Sequence, residues 1–284
     1  MIFTGDISQP FIGASTYQLP PEFQTKIWVG NIEGSLISAK AHQGVFNNLD
    51  AISNICKDIP FKVFSIGNNH LLDAGDVQTT IDNLRLLNIK AVGGGNNIQE
   101  ASKPVQIRDN DGTEYCLLSF GWEVIQCVPA AKNKQGVNPY IKAHVLECAK
   151  DALENNKFVI CFMHWNYELE YYPQPYDRAL AHELIDMGVY AVIGCHAHRV
   201  QPIEFYKGRP IVYGLGNFLF CQGYYFNGNL KYPSYSDKEY AFELIDSGKR
   251  FILHHIHYDA GSNHLTLERS EEIYADITFN GDIS

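Results

Sequence analysis

Six short apolar runs recur along the chain, and each stops at glycine or at a polar residue able to hold a ligand. Residues 2–4 run into Gly5 and Asp6, and residues 26–29 into Gly30, Asn31 and Glu33. Residues 61–66 reach Gly67, Asn68, Asn69 and His70. Residues 158–163 reach His164, residues 190–193 reach Gly194, His196 and His198, and residues 211–213 reach Gly214, Gly216 and Asn217. Short β-branched and aromatic runs of this kind are the signature of buried parallel strands. The pattern predicts a sheet whose functional groups collect on one edge, where the strands end.

Helical spacing fills the gaps between the runs. Val77, Ile81, Leu84 and Leu87 recur over residues 76–88, and Ile141, Val145, Ala149 and Leu153 over residues 138–156. Ala179, Ala181, Leu184 and Ile185 mark residues 175–187, with Gly188 placed to cap that helix. Alternation of strand and helix argues for an α/β sandwich. After Gly223 the pattern changes to a loop rich in Asn, Gly and Tyr, whose Tyr224, Tyr225, Phe226, Tyr232 and Tyr235 read either as a lid over a groove or as an ordinary surface loop with packed aromatics. Strands over 240–245, 250–258 and 264–268 then predict an antiparallel meander. No Pro/Ser-rich linker, repeat or low-complexity tract interrupts the chain, so one domain spanning residues 1–284 is expected, β-rich from about 238 to 284.

Composition narrows the function classes. Over 284 residues, hydrophobic residues make up 45% and charged residues 19%, which excludes intrinsic disorder. The net charge of −10 repels phosphate backbones and anionic membrane surfaces, so no nucleic-acid partner is expected. An anionic substrate then needs a local cation or a metal ion to override the global field. The seven cysteines form no CxxC pair and sit mostly in apolar runs, which reads as reduced core thiols in a reducing compartment. No apolar stretch approaches the length of a membrane span, and residues 1–6 carry no signal-peptide pattern, so the chain reads as cytoplasmic.

The polar residues at the strand ends carry the chemistry. Asp6, Asn31, Glu33, Asn68, Asn69, His70, His164, His196 and His198 form a mixed oxygen and nitrogen set suited to zinc, manganese or iron. A pair of such ions about 3.5–4 Å apart activates a hydroxide and clamps a scissile phosphoryl or acyl group. Asn69 is a neutral ligand option, and His70 can then act as general acid.

Several of these motifs carry a family resemblance. Gly5-Asp6, Gly30-Asn31-Ile32-Glu33, Gly67-Asn68-Asn69-His70 with Asp73, and Gly93-Gly94-Gly95-Asn96 fall in order along the chain. Met163-His164-Trp165-Asn166-Tyr167-Glu168, residues 194–204 beginning Gly194-Cys195-His196-Ala197-His198-Arg199, and Tyr213-Gly214-Leu215-Gly216-Asn217-Phe218 follow. Together they resemble the bacterial capsule-synthesis family CapA, of the poly-γ-glutamate type, over about three quarters of the chain. That family resembles the calcineurin-like metallophosphatases, which implies a four-layer α/β/β/α sandwich with mixed sheets. The resemblance implies metal ligands at Asp6, Glu33, Asn69, His164, His196 and His198, and an acid at His70. Ser8 stands where a metallophosphatase usually has histidine, and Glu33 where aspartate is usual, so two ions, one or none remain open.

Arg199 and Asn68 are expected to bind substrate, with Arg199 able to hold a carboxylate or phosphate in bidentate fashion. His198 doubles as a candidate base. Glu204 is a candidate for orienting a ligand histidine, while His254, His255 and His257 read as strand residues. The leading expectation is a metal-dependent hydrolase acting on an anionic polymer, peptide or small phosphoester, with capsule-synthesis proteins as partners. The alternatives are a catalytically silent polymer-binding accessory protein and a cofactor-independent peptide epimerase on the same fold. Relatives implied by the resemblance are often membrane-anchored or exported.

Overall fold

A computed structural model describes residues 1–38 and 44–274; the last ten positions of the expected β-rich part lie outside the described residues. The apolar runs form two mixed sheets. In the larger, Ile2–Ser8 is central and pairs in parallel with Trp28–Ile32, which continues to Phe61–Ser65 and Lys90–Val92. On its other side, Asn217–Phe220 pairs in parallel with one half of Ile2–Ser8, and Lys238–Ile245 pairs antiparallel with the other half. The meander continues through Arg250–Asp259 and His264–Ile273 to Thr16–Gln18. The smaller sheet runs in the order Ile203–Tyr206, Arg209–Val212, Ala191–Cys195, Val159–His164, Glu114–Gly121 and Val105–Arg108.

Alternation along each strand sorts the core into layers, because successive side chains point to opposite faces. Phe3, Val29 and Val63 face Leu117, Ile160, Phe162 and Ile193 of the smaller sheet and form the core between the sheets. Their neighbours Ile2, Trp28 and Phe64 face outward, under Ile52 and Ile55 of helix Leu49–Ile55 and Val77 and Leu84 of helix Val77–Leu86. On the far side, Leu118, Cys161 and Met163 pack under helices Lys142–Asn155 and Pro175–Met187. The result is the expected α/β/β/α order with mixed sheets.

Local signals set most boundaries. Asp76 caps helix Val77–Leu86 by accepting from the Thr79 amide at 2.6 Å, and Gly188 ends helix Pro175–Met187 in the left-handed conformation at φ 112°. The helix expected from residue 138 begins only at Lys142, and Ile141 is 56% exposed instead of packed. Asn138 and Tyr140 donate their amides to the Gly93 and Gly121 carbonyls, and Pro139 between them holds this stretch extended. All seven cysteines are free thiols, five of them buried. Among the described residues no helix is long and apolar enough to cross a membrane.

Two close approaches position the functional edge. A Cβ on Gly5 would lie 1.8 Å from the Gly216 carbonyl oxygen, so only glycine lets the two strands meet there. The register of Ile2–Ser8 also shifts on both sides of Asp6, an irregularity of the kind that re-aims a side chain out of the pleat. Phe162 packs edge-on to Phe3 across the sheets with ring centroids 6.2 Å apart. Phe162→Ala should therefore cost about 3–5 kcal/mol, read as a lower midpoint with unchanged slope in urea unfolding.

Candidate metal centre

Parallel strands deliver the site. Asp6 lies near the end of Ile2–Ser8, Asn31 in Trp28–Ile32, and Glu33 one residue beyond it. His164 is the last residue of Val159–His164, while His196 and His198 follow Ala191–Cys195. Both histidines are left-handed, at φ 93° and 52°, and on this bent exit the His198 imidazole faces Asp6 while the His196 imidazole faces His164.

Two groups of ligand atoms result. In the first, His164 Nε2 lies 2.8 Å from Asn69 Oδ1 and 3.1 Å from His196 Nδ1. In the second, His198 Nδ1 lies 3.6 Å from Asp6 Oδ2, and its Nε2 lies 3.6 Å from Glu33 Oε1. Asp6 accepts from the His196 amide at 3.0 Å and from the Asn31 amide side chain at 2.7 Å. Asp6, Glu33 and His198 hold ligand atoms within 4.8 Å of one another, and so do Asp6, His164 and Cys195. Glu168, His196 and His198 form a third such set, with Glu168 exposed at the mouth.

Burial governs the charge states. Desolvation raises the Asp6 carboxyl to about 6, partly offset by its hydrogen bonds to Asn31 and the His196 amide. Glu33 is held well above the usual carboxylate range, by burial first and then by the charge of Asp6. His164 and His196 are pushed well below their ordinary value by burial and then by neighbouring imidazoles, and burial lowers His198 to about 4. Neutral imidazoles keep lone pairs available for a cation. Both Glu33 oxygens are buried without a hydrogen-bond partner, a costly state for a carboxyl group. A divalent cation among these donors would satisfy them, so the residues present fit a bound metal.

The remaining expected residues have distinct placements. His70 alone of the site imidazoles is partly exposed, at 22%; its Nδ1 lies 2.7 Å from Asp73 Oδ2 and its Nε2 3.7 Å from Glu33. Asn68, expected to contact substrate, is buried and engaged with the backbone. Its amide donates to the Ile32 carbonyl and accepts from the Gly34 and His70 amides, bracketing the loops that carry Glu33 and His70. Arg199 lies between the rings of Tyr171 and Tyr235 and donates to the Leu169 carbonyl at 3.0 Å. Glu204 orients no site histidine; it is taken up by Arg178, His182 and Tyr213. His254 and His255 stay within the meander, paired with Glu243 and Glu271.

Two neighbours lie outside the candidate residues of the sequence, and a third has a contact the sequence does not show. Asn217 Oδ1 lies 2.8 Å from His198 Nδ1, which leaves Nε2 to face Glu33; it follows Gly216 after an apolar run, the same signal as the others. Cys195 Sγ lies 3.3 Å from His164 Nδ1, hidden among thiols that read as core. Tyr232, one of the aromatic residues expected as a lid or a packed surface loop, stacks on His198 with centroids 4.5 Å apart.

Comparison with known proteins gives a consistent result. The PGA biosynthesis protein CapA of Bacillus subtilis is 29% identical over 212 residues, 72% of this chain and 56% of that protein. The capsule biosynthesis protein CapA of Bacillus anthracis is 31% identical over 174 residues, 59% of this chain and 42% of that protein. The chain thus spans about half the length of these curated relatives. Among solved structures, a putative 5'-nucleotidase from Staphylococcus aureus aligns with 99% of this chain and 56% of its own, at 12% identity and a TM-score of 0.47. The family model for the bacterial capsule synthesis protein PGA_cap matches residues 17–222, a stretch that holds every site residue above except Asp6, Tyr232 and Tyr235, and the chain belongs to that family.

Proposed function

We propose that this chain is a metal-dependent hydrolase of capsule or exopolymer synthesis, cleaving a phosphoester or amide linkage in an anionic polymer, peptide or small phosphoester. The observation that carries this reading is Glu33: a buried carboxyl with both oxygens unpartnered, facing neutral His198 and close to Asp6. A second carboxyl, three neutral imidazoles and the Asn69 oxygen converge beside it. That is the donor set of one or two manganese, zinc or iron ions. When bound, such ions supply Lewis acidity and an activated water.

The chain's own residues would do the rest. Asp6, Glu33 and His198 would hold one position, and Asn69, His164 and His196 the other. Asn217 would fix the His198 ring so that Nε2 faces inward. Asp73 would hold His70 through Nδ1 and leave Nε2 free to hand a proton to the leaving group. His70 suits that task because it stands at the accessible rim.

The first test is metal content and turnover of the protein supplied with Mn²⁺, Zn²⁺ or Fe²⁺, against phosphoesters and γ-glutamyl amides. A wild type that retains no metal and cleaves neither class would sink the reading and favour a binding or epimerase role. Glu33→Gln should lower bound metal by about 10-fold or more, measured by elemental analysis after dialysis, because a ligand charge is lost. His70→Asn should keep the metal and lower kcat by about 10²–10³-fold, the usual scale for a lost general acid. Metal affinity should also depend on pH. Asp6 binds a proton below about 6 and the raised Glu33 carboxyl adds to the effect, so affinity should fall as pH drops through 6, with proton release seen on binding at pH 5.5.

A further inference from the structure

Asp6, Glu33, Asp73 and Glu168 cluster at a site on a chain whose net charge is −10. An anionic substrate approaching it meets repulsion unless a cation is built in beside the metal. Arg199 follows His198 directly, and its guanidinium lies 4.9 Å from the Tyr171 ring centroid and 4.4 Å from that of Tyr235. The two rings come from the segment after His164 and from the turn Ser234–Asp237. One N–H is tied to the Leu169 carbonyl, which fixes how the plane is rotated, and the buried Nε has no partner. Arg85, Arg108, Arg178 and Arg250 each hold a carboxylate; among the described residues none is paired with Arg199.

The wall of this cage is anchored to the site. Tyr232, three residues before Tyr235, stacks on His198 at an interplanar angle of 23°. The Tyr225 hydroxyl in the same segment donates to the Phe46 carbonyl at 2.6 Å and meets Ser8 Oγ at 2.5 Å. A caged, oriented and charge-unpaired guanidinium is a built receptor for an oxyanion, because its planar fork matches carboxylate and phosphate.

We propose that Arg199, held between Tyr171 and Tyr235, is an oxyanion subsite beside the metal centre that receives a carboxylate or phosphate of the substrate. The subsite deepens the hydrolase reading and rests on it only for the claim that the bound anion flanks the bond broken.

The test is calorimetric titration of the metal-loaded full chain with a γ-linked glutamate hexapeptide, with its α-carboxamide counterpart, and with inorganic phosphate. Wild type is compared with Arg199→Gln, Arg199→Lys and Tyr235→Ala, each checked for metal content and thermal midpoint. Arg199→Gln should weaken binding of an anion by about 10–100-fold, the scale of a charge-assisted pair, and leave the carboxamide unchanged. Arg199→Lys should recover little of the loss, and Tyr235→Ala should weaken the anion by about 5-fold. Loss confined to the hexapeptide assigns the carboxylate, and loss confined to phosphate assigns the phosphate. Undiminished affinity of both anions for Arg199→Gln would overturn the subsite, as would a wild type that binds the carboxamide as tightly as the acid and ignores phosphate. Should Arg199→Gln not fold, unchanged anion affinity in both Arg199→Lys and Tyr235→Ala overturns it equally. Arg199-dependent binding without turnover of any substrate would leave the subsite standing and remove the hydrolase.

Discussion

Two carboxyl groups buried side by side at the seam between the sheets are the constraint on which the rest depends. Removing a carboxylate from water costs several kcal/mol unless hydrogen bonds or a counter-charge compensate. Asp6 is partly compensated by Asn31 and the His196 amide, whereas Glu33 has no hydrogen-bond partner for either oxygen. The imidazoles around them are neutral, driven there by the same burial. Protein groups alone leave this arrangement under-satisfied, and a divalent cation would resolve it by giving the carboxyls a counter-charge and the imidazole lone pairs an acceptor of electron density.

Backbone geometry makes that convergence available. Five strands end near the site, yet a regular pleat would send Asp6 and its neighbours to alternate faces. The register shift around Asp6 and the contact of Gly5 with Gly216 break the alternation where the ligands must gather. Left-handed conformations at His196 and His198 do the same on the other sheet. Such conformations are unfavourable for non-glycine residues, and they persist because the packed ends of both sheets over-determine them. The strain is therefore located at the ligands and held by the scaffold.

This division explains what could be read in advance. Continuous apolar runs, and helical spacing closed by a cap such as Gly188, are local properties, so the layers and the polar strand ends were legible. The start of helix Lys142–Asn155 was not, because Ile141 fits helical spacing while long-range bonds from Asn138 and Tyr140 keep the preceding chain extended. Among site residues, types suited to metal binding announced themselves. Asn68 was legible as a polar strand-end residue but not as a bracket, since its partners lie on Ile32 and Gly34, more than thirty positions away. Tyr232 reaches His198 only through the fold, and no spacing rule relates the two.

Electrostatics ties the pieces into one functional surface. A net charge of −10 and an acidic centre would disfavour an anionic substrate of the kind proposed. Long-range repulsion is screened within about 8–10 Å at physiological salt, so what decides binding is the charge within that radius. A metal at Glu33 and Asp6 would reverse the sign at the centre, and Arg199 would add a directional cation beside it. Tyrosine faces suit that second role better than acidic partners, because they hold the guanidinium in place without neutralising it. The same segment packs Tyr232 on His198 and fastens Tyr225 to Ser8, so the proposed anion subsite and the proposed metal centre share one support. A change in residues 224–235 would therefore be felt at both.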